Sequence, residues 1–203
     1  MSIGRTVMAI LGVAAVAAAA PAAAQDAKFS RFYLGGSVGL AQYSNFCDTS
    51  RTGITTSCED TDTAARVFAG YRFNRNLALE VGYADLGLAN ALTTVNGPQL
   101  PVRTRVTGWD YSGVLSFQVA GNLSGFGRLG AYTMRSATDT YVENAPTVSA
   151  GETNTGFTYG LGAGYDLGFL GIRVEWQRYL NVGGGTTGED DIDVLSAGVL
   201  LRF

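Results

Sequence analysis

The amino-acid sequence predicts an all-β fold, an eight-stranded antiparallel up-and-down transmembrane β-barrel. Three observations lead to this prediction. Apolar residues alternate with small and polar ones over segments of about ten residues, the length that a tilted strand needs to cross a bilayer. The connections between these segments alternate between long and short. Only 15 % of the residues are charged, whereas a typical soluble domain has about 25 %.

The chain begins with a segment organised like a secretory signal peptide. Residues 1–5 carry one positive charge, residues 7–20 form an unbroken apolar run, and residues 22–24 are alanines that suit cleavage before Gln25. We therefore predict a signal peptide at 1–24, a barrel domain at 25–203 and export through the inner membrane. A permanent transmembrane anchor is the alternative, and the alanine-rich run with its Pro21 disfavours it.

Eight segments of the remaining chain show the period of two that is typical of strands with two different faces. In one of them Phe157, Tyr159 and Leu161 fall on one side, while Thr158 and Gly160 fall on the other. Eight is an even number, as bacterial outer-membrane barrels require. The predicted strands span residues 32–43, 63–73, 77–86, 106–119, 123–135, 156–167, 171–180 and 192–203.

The connections give the barrel its predicted orientation. Short turns are expected around Arg75, Gly121 and Phe169. Membrane barrels have short periplasmic turns and long extracellular loops, so the long connections should face the outside. These long polar connections span residues 44–62, 87–105, 136–155 and 181–191.

A soluble barrel of the lipocalin type shows the same alternation with its apolar face turned inward. The polar face here consists mostly of Gly, Ser, Ala and Thr, which is too few charges for a surface in water and suits a narrow lumen. Aromatic residues near strand ends predict two girdles at the membrane interfaces. These residues are Tyr33, Tyr71, Phe73, Trp109, Tyr165, Trp176 and Phe203.

Two stretches carry a resemblance to a known family. The sequence at 70–83, GYRFNRNLALEVGY, resembles the strand-turn-strand of OmpA/OmpX-like outer membrane barrels. The last nine residues are similar to the C-terminal β-signal of that class, with alternating apolar positions, a glycine and a final phenylalanine. The residues that carry this signal are Gly198, Val199, Leu201 and Phe203.

The resemblance implies a place in the cell outer membrane, in contact with membrane lipid and lipopolysaccharide, after recognition by the barrel-assembly machinery. Because the chain stops at Phe203, we expect no periplasmic peptidoglycan-binding domain, and cell-wall anchoring is not implied. We expect the barrel to be a monomer.

Five charged residues fall on the predicted inner face: Arg66, Glu80, Arg128, Arg173 and Glu175. Charges inside a membrane are costly unless they are paired. Glu80, Arg128 and Glu175 lie four to six residues above the short turns, or about 13–20 Å along their strands, so they can meet in one lumen. A structural ion-pair network is the first interpretation, and a gate for a small ion path is the alternative. Only Glu80 matches the family-like hairpin, so the resemblance assigns no gate residue by residue.

The two cysteines, Cys47 and Cys58, fall in the first predicted outer loop. An exported chain meets an oxidising compartment, so a disulfide is the natural prediction. Such a bridge would stabilise the loop by about 3 kcal/mol in the chain-entropy model. A metal site at this pair would lack further ligands.

The residue inventory argues against catalysis and nucleic-acid binding. The chain contains no histidine, which excludes Ser-His and Cys-His mechanisms and removes the commonest zinc ligand. The net formal charge is −3 and no basic cluster occurs, so nucleic acid is a poor partner. We therefore expect no catalytic residue, no cofactor and no metal.

Two functions remain from the sequence. The first is a non-enzymatic surface protein that serves envelope integrity, adhesion or host contact, because long loops on a rigid scaffold are where such functions are found. An extracellular protein or another surface ligand would then bind the loops. The second is a low-conductance porin-like channel gated by the lumen Arg and Glu pairs. An outer-membrane lipid enzyme is disfavoured by the absence of histidine.

Overall fold

A computed structural model of the chain describes residues 30–44, 55–94, 99–142, 145–184 and 188–203. The predicted signal peptide and Cys47 lie outside these residues. In the described part, no helix is long and apolar enough to cross a membrane. The strands are β1 (Phe32–Tyr43), β2 (Thr55–Glu59), β3 (Thr61–Arg72), β4 (Leu77–Thr94), β5 (Gln99–Ala120), β6 (Leu123–Val142), β7 (Ala145–Asp166), β8 (Leu170–Gly184) and β9 (Gly188–Arg202).

Eight of these strands form a closed antiparallel barrel. From β3 onward each strand pairs with its successor along the chain, and β1 closes the barrel because it pairs with both β3 and β9. Tyr33, for example, lies opposite Gly70 on one side and Arg202 on the other. The short strand β2 pairs with the outer part of β4, where Cys58 lies opposite Ala91. The predicted fold class is confirmed.

The strands from β4 to β7 are much longer than the sequence predicts. β4 and β5 stay paired as far as Thr94 and Gln99, and β6 and β7 as far as Val142 and Ala145. The prediction of residues 87–105 and 136–155 as long polar connections between strands is therefore wrong over most of their length. These segments show little alternation because both of their faces lie beyond the apolar band, so period-two hydrophobicity does not mark them.

Three short turns join the strands at the opposite end, called the turn end; the end with the long strands is called the loop end. In the first turn the Asn74 side-chain oxygen accepts hydrogen bonds from the backbone N–H groups of Asn76 and Leu77, each at 2.8 Å. Gly121 and Gly168 adopt φ values of 51° and 89° in the other two. Glycine adopts this left-handed conformation without steric cost.

The outer face of the barrel is apolar and exposed, as expected of a surface that meets lipid. Phe157 on β7 and Leu167, which directly follows this strand, are 70 % and 49 % exposed at the two ends of this band. Ten residues at the usual strand rise and tilt span about 25 Å across the membrane. Beyond this band, toward the loop end, outward positions carry charges such as Asp85, Arg105 and Arg178.

Aromatic side chains border the apolar band at both ends. Tyr83 packs edge-on against Trp109 with ring centroids 5.2 Å apart, and Tyr159 packs against Trp176 at 5.8 Å, both nearer the loop end. Tyr33 is an exception to the prediction: it is 6 % exposed and points into the lumen. Its position on β1 shares the parity of the small inner residues, which outweighs its aromatic character. The exposed aromatic residues at the turn end include Phe32, Phe73, Phe117, Tyr165, Phe169 and Phe203.

Candidate functional site: the barrel lumen

Inward-facing side chains fill the lumen in three layers. The ionic layer consists of Arg66, Glu80, Asp110, Arg128, Arg173 and Glu175. The apolar layer lies on its loop side and consists of Ala41, Tyr43, Ala64, Ala84, Leu86, Val106, Tyr132, Met134, Tyr179, Val182, Ile192 and Val194. The aromatic layer lies on its turn side and consists of Tyr33, Phe68, Ala78, Val114 and Phe126, with Leu200 packed against it.

Strand periodicity brings these residues together. Successive side chains of a strand point to opposite faces, so the inward positions of β8 are Arg173, Glu175, Gln177 and Tyr179, all of them buried. Small residues flank the largest charged groups: Glu80 lies opposite Gly70 on β3 and Ser112 on β5. The small residues paired with Glu80 therefore leave room in the lumen for long charged side chains at this level.

Glu80 lies at the centre of the ionic layer and is 1 % exposed. Its Oε1 accepts hydrogen bonds from Arg173 Nη1 at 2.7 Å and from the Tyr33 hydroxyl at 2.8 Å. Its Oε2 accepts from Arg66 at 3.4 Å and also from Arg128. A single carboxylate from β4 thus binds three guanidinium groups from three other strands.

Two further carboxylates balance these arginines. Arg66 donates to both oxygens of Asp110, through Nε at 2.8 Å and Nη2 at 2.7 Å, which is the bidentate geometry that favours arginine. Arg128 Nη1 lies 2.8 Å from Glu175 Oε1. Three guanidinium groups therefore face three carboxylates, and each of the six residues is at most 7 % exposed.

Aromatic rings support the ionic layer from the turn side. The guanidinium carbon of Arg173 lies 3.8 Å from the centroid of the Phe68 ring and 5.6 Å from that of Phe126. Such cation–π contacts are favourable where water is excluded. Gly82 leaves space on the adjacent strand, because a Cβ atom there would lie 2.6 Å from Arg66 Nε.

The apolar layer closes the lumen toward the loop end. The rings of Tyr132 and Tyr179 pack edge-on with centroids 5.7 Å apart. Leu86, Met134 and Ile192 around them are each at most 2 % exposed. Apolar side chains offer an ion no replacement for its water of hydration, so a layer of this kind is expected to oppose conduction.

The turn-side part of the lumen is open. A cavity of about 460 Å³ begins at Tyr33, Glu80 and Arg173 and reaches the turns at Arg75 and Asn122. We call this cavity the vestibule. The lumen is therefore accessible from the turn end and filled above the ionic layer.

The structure brings together all five charged residues that the sequence predicts for the lumen. Arg66, Glu80 and Arg128 join the network described above, as do Arg173 and Glu175. Sequence reasoning missed Asp110, although its position in the alternation of β5 placed it on the polar face. It also missed Gln177, which accepts a hydrogen bond from Arg128 Nη1 at 2.9 Å.

The other predicted sites stay predictions. On β9, Gly198 faces inward while Val199 and Leu201 face outward. The Phe203 N–H donates to the Phe32 carbonyl at 2.9 Å. This placement does not test whether these residues form an assembly signal. The predicted Cys47–Cys58 disulfide involves Cys47, which lies outside the described residues. Among the residues that the structure describes, no group of three or more carboxylate or cysteine side chains could hold a metal ion.

A closed antiparallel barrel with an apolar outer band and a charge-paired lumen defines the class of outer-membrane β-barrels. The family model of the OmpA-like transmembrane domain matches residues 27–203. The chain belongs to this family, which confirms the resemblance seen in the sequence. As a member of the family it is located in the cell outer membrane. In this setting the turn end faces the periplasm and the loop end faces the outside.

Individual relatives agree with this assignment. The chain is 29 % identical over 185 residues to outer membrane protein A of Klebsiella pneumoniae, a match that covers 87 % of this chain and 52 % of that protein. The chain thus spans about half the length of this relative.

Solved structures show the same fold. Neisserial surface protein A superposes with a TM-score of 0.58 at 17 % identity, covering 85 % of this chain and 97 % of that one. The attachment invasion locus protein Ail of Yersinia pestis, solved in complex with the heparin analogue sucrose octasulfate, superposes with a TM-score of 0.50 at 12 % identity. That match covers 85 % of this chain and 99 % of Ail.

Proposed function

We propose that this protein is a non-enzymatic surface scaffold, whose barrel holds an extended extracellular sheet for contact with proteins or other ligands outside the cell. The observation that carries the proposal is the contrast between a lumen filled by the apolar layer and strands that continue far beyond the membrane. This contrast supports a function on the outside of the barrel. The structural role that the family supports and the surface-contact role are both served by such a scaffold.

The extracellular sheet is built from strands that exceed the need of the membrane. β5 and β7 each contain 22 residues, whereas about 9–11 residues suffice for a tilted crossing. The surplus of roughly ten residues corresponds to about 30 Å of strand. A paired sheet of this length is a more rigid contact surface than a set of irregular loops.

One edge of this sheet is open for strand addition. β7 pairs with β8 only up to the Thr158–Tyr179 pair, while its pairing with β6 continues to Ala145. In the described part of the chain, residues 145–157 of β7 thus have a strand partner on one side, and the Asn154 amide bridges to the Asn181 carbonyl at 2.7 Å. A strand at the edge of a sheet is the kind of site that an extended peptide uses in β-augmentation.

A shortened hairpin tests the contact role. Residues 138–150 are replaced by Asn-Gly, which joins the paired residues Ala137 and Gly151 through a tight turn. We expect cells that display this variant to attach less to an array of immobilised serum and extracellular-matrix proteins than cells with the intact barrel. The matched control joins Ala89 to Thr104 in the same way and retains the β7 edge, so it should retain attachment.

Attachment by the shortened variant at the level of the intact barrel would contradict the contact role. The sensitivity of the same cells to detergent tests the structural role separately from the contact role. A barrel that folds and inserts should maintain envelope integrity even without its β6–β7 hairpin.

The channel alternative makes a different prediction in planar bilayers. The apolar layer should keep the intact barrel and the variants Glu80→Ala and Arg128→Ala silent. Substituting Leu86 and Ile192 together by serine should then admit ions, because it wets the barrier. Steady current through the intact barrel would instead favour a channel.

A further inference from the structure

We propose that the outer face of β5, β6 and β7, just beyond the apolar band, binds the phosphate of a glycolipid in the outer leaflet. The chemical class is that of phosphorylated glucosamine lipids of the lipid A type. This inference is independent of the surface-contact role, because it uses outward side chains at the membrane border, whereas strand addition uses the backbone of β7. We call this surface the basic platform. It consists of Arg105, Thr107, Thr133, Arg135, Thr153 and Thr155.

The register of the sheet places five of these residues in two adjacent rows. Thr107 on β5 lies opposite Arg135 on β6, and Arg135 lies opposite Thr153 on β7. In the row nearer the membrane, Thr133 lies opposite Thr155, and their hydroxyl oxygens are 3.2 Å apart. Alternate residues of a strand share a face, so the two rows form one continuous polar surface on the outside of the barrel.

Aromatic and apolar side chains border the platform on its membrane side. Trp109 lies opposite Thr133 and packs against Tyr83 with ring centroids 5.2 Å apart. The next row toward the membrane contains Ala131 opposite Phe157, which is 70 % exposed. The surface therefore changes from apolar to hydroxyl to guanidinium in two steps of about 7 Å each. This order matches the acyl chains, the sugar and the phosphate of a glycolipid that lies along the barrel.

Arg135 is the cation that the platform offers to a ligand. Its side chain is exposed, and it has no hydrogen bond or ion pair with any residue that the structure describes. The guanidinium lies close to the β7 backbone at Gly151, where a Cβ atom would be 3.3 Å from Arg135 Nη2. Arg105 lies one outward position beyond Thr107 on the neighbouring strand and pairs with Asp85. The charge of Arg135 is thus the one that remains for an external anion.

Charge and position together select the ligand class. Arginine binds phosphate oxygens in bidentate fashion, and the adjacent threonines add hydroxyl groups for a sugar. In the described part of the opposite side, the corresponding border has Gln42 between Asp193 and Thr61, and Asp193 is bound to Arg178. That side therefore offers no such cation. The proposal commits to a lipid as the source of the phosphate, because the apolar rows continue directly below the platform.

The test uses the intact barrel in an uncharged, phosphate-free detergent and follows backbone amides and arginine Nε–H groups by NMR. The barrel is titrated with diphosphorylated lipid A and, separately, with the same lipid A after removal of its phosphates. We expect saturable shifts at Thr133, Thr155 and the Arg135 Nε–H with the phosphorylated lipid. The dephosphorylated lipid should bind about tenfold more weakly or less, the effect of one lost charge-assisted hydrogen bond. Equal affinity for the two lipids would overturn the proposal.

Arg135→Gln should weaken the binding of diphosphorylated lipid A by about tenfold, and the barrel should fold because this side chain is exposed. Arg178→Gln is the matched control. Arg178 lies level with Leu129 in the register, which is six residues or about 20 Å along the sheet from Arg135. Its replacement should change the affinity by less than about twofold, since a charge at that distance is screened. Equal weakening by the two variants would overturn the proposal, because it would show a general attraction to the outer surface.

The lipid source is tested with glucosamine 1-phosphate, which carries a phosphate and a sugar without acyl chains. We expect no saturable shift at concentrations where lipid A saturates the platform, and saturation by this soluble compound would overturn the assignment to a membrane lipid. The variant with residues 138–150 replaced retains all six platform residues, so it should bind lipid A like the intact barrel. Loss of attachment and loss of lipid binding are therefore separate results, each of which contradicts one proposal only.

Discussion

The ionic and apolar layers fill adjacent parts of the same lumen by opposite means. In the ionic layer, three arginines pair with three carboxylates, and Glu80 alone contacts Arg66, Arg128 and Arg173. In the apolar layer, tyrosine rings and aliphatic side chains pack with no net charge. The first layer depends on a balance between specific partners, whereas the second depends on filled volume.

The two layers are therefore sensitive to different substitutions. Removing one member of a buried ion-pair network leaves an uncompensated charge, which costs more than the pair contributed. Removing a buried methyl group leaves a cavity, and the cost depends on how far the surroundings collapse. We expect losses in the ionic layer to be larger and to depend on charge balance, and losses in the apolar layer to scale with volume.

Glu80→Gln should have the largest effect. The glutamine keeps the size of the side chain but leaves three buried arginines with two carboxylates, so we expect a loss of about 3–5 kcal/mol in the free energy of unfolding. Urea titration of the barrel in lipid vesicles, followed by tryptophan fluorescence, measures the loss. Asp85→Asn, which removes a carboxylate on the outer surface that pairs with Arg105, is the control and should cost less than about 1 kcal/mol.

A double variant separates charge balance from geometry. Glu80→Gln combined with Arg173→Gln restores equal numbers of positive and negative groups in the layer. It should therefore be more stable than Glu80→Gln alone. If the second substitution adds its own cost in full, the layer is held by individual contacts and the charge-balance argument is wrong.

Leu86→Ala in the apolar layer should have the next largest effect. Leu86 is 2 % exposed, and a buried Leu→Ala change typically costs about 2–5 kcal/mol. Leu129→Ala is the matched control on the outer face, where Leu129 is 68 % exposed and lipid chains can occupy the vacated space. The two variants are compared in the same urea titration. Equal losses would mean that the apolar layer is loosely packed.

Arg66→Lys should have an intermediate effect and tests geometry at constant charge. Lysine keeps the positive charge but loses the bidentate contact with Asp110, so we expect a loss of about 1.5–3 kcal/mol. A stability within about 0.5 kcal/mol of the intact barrel would show that Asp110 needs only a nearby charge.

Sequence periodicity predicted the membrane part of this molecule well, because lipid and lumen impose different residue types on the two faces. β1 was predicted with the bounds that the structure has, and the five lumen charges converge as expected. The same parity places Asp110 and Tyr33 inside. Residue type alone, by contrast, predicts Tyr33 in an aromatic girdle and does not single out Asp110, so position in the strand is the stronger signal.

The extracellular extensions of β4 to β7 could not be predicted in this way. Outside the membrane both faces of a strand meet water, so the apolar alternation that marks a strand disappears. The pairing there continues through backbone hydrogen bonds, which leave little trace in the sequence. The vestibule was equally hidden, because it depends on how residues from several strands and two turns leave space between them.

We expect the smallest loss of stability from charged pairs on the outer surface of the barrel, which belong to neither layer of the lumen. Arg178 is bound to Asp193 on the adjacent strand, and their side chains are 33 % and 23 % exposed. Solvent screens such pairs, so Arg178→Gln should cost less than about 1 kcal/mol in the urea titration. Ionic strength gives the second readout: the difference between the variant and the intact barrel should shrink in 1 M salt, whereas the effect of Glu80→Gln should persist because its partners are buried. A salt-independent loss as large as that of Glu80→Gln would mean that the Arg178–Asp193 pair contributes as much to stability as the pairs of the ionic layer. The contrast between buried and exposed charge in this barrel would then be wrong.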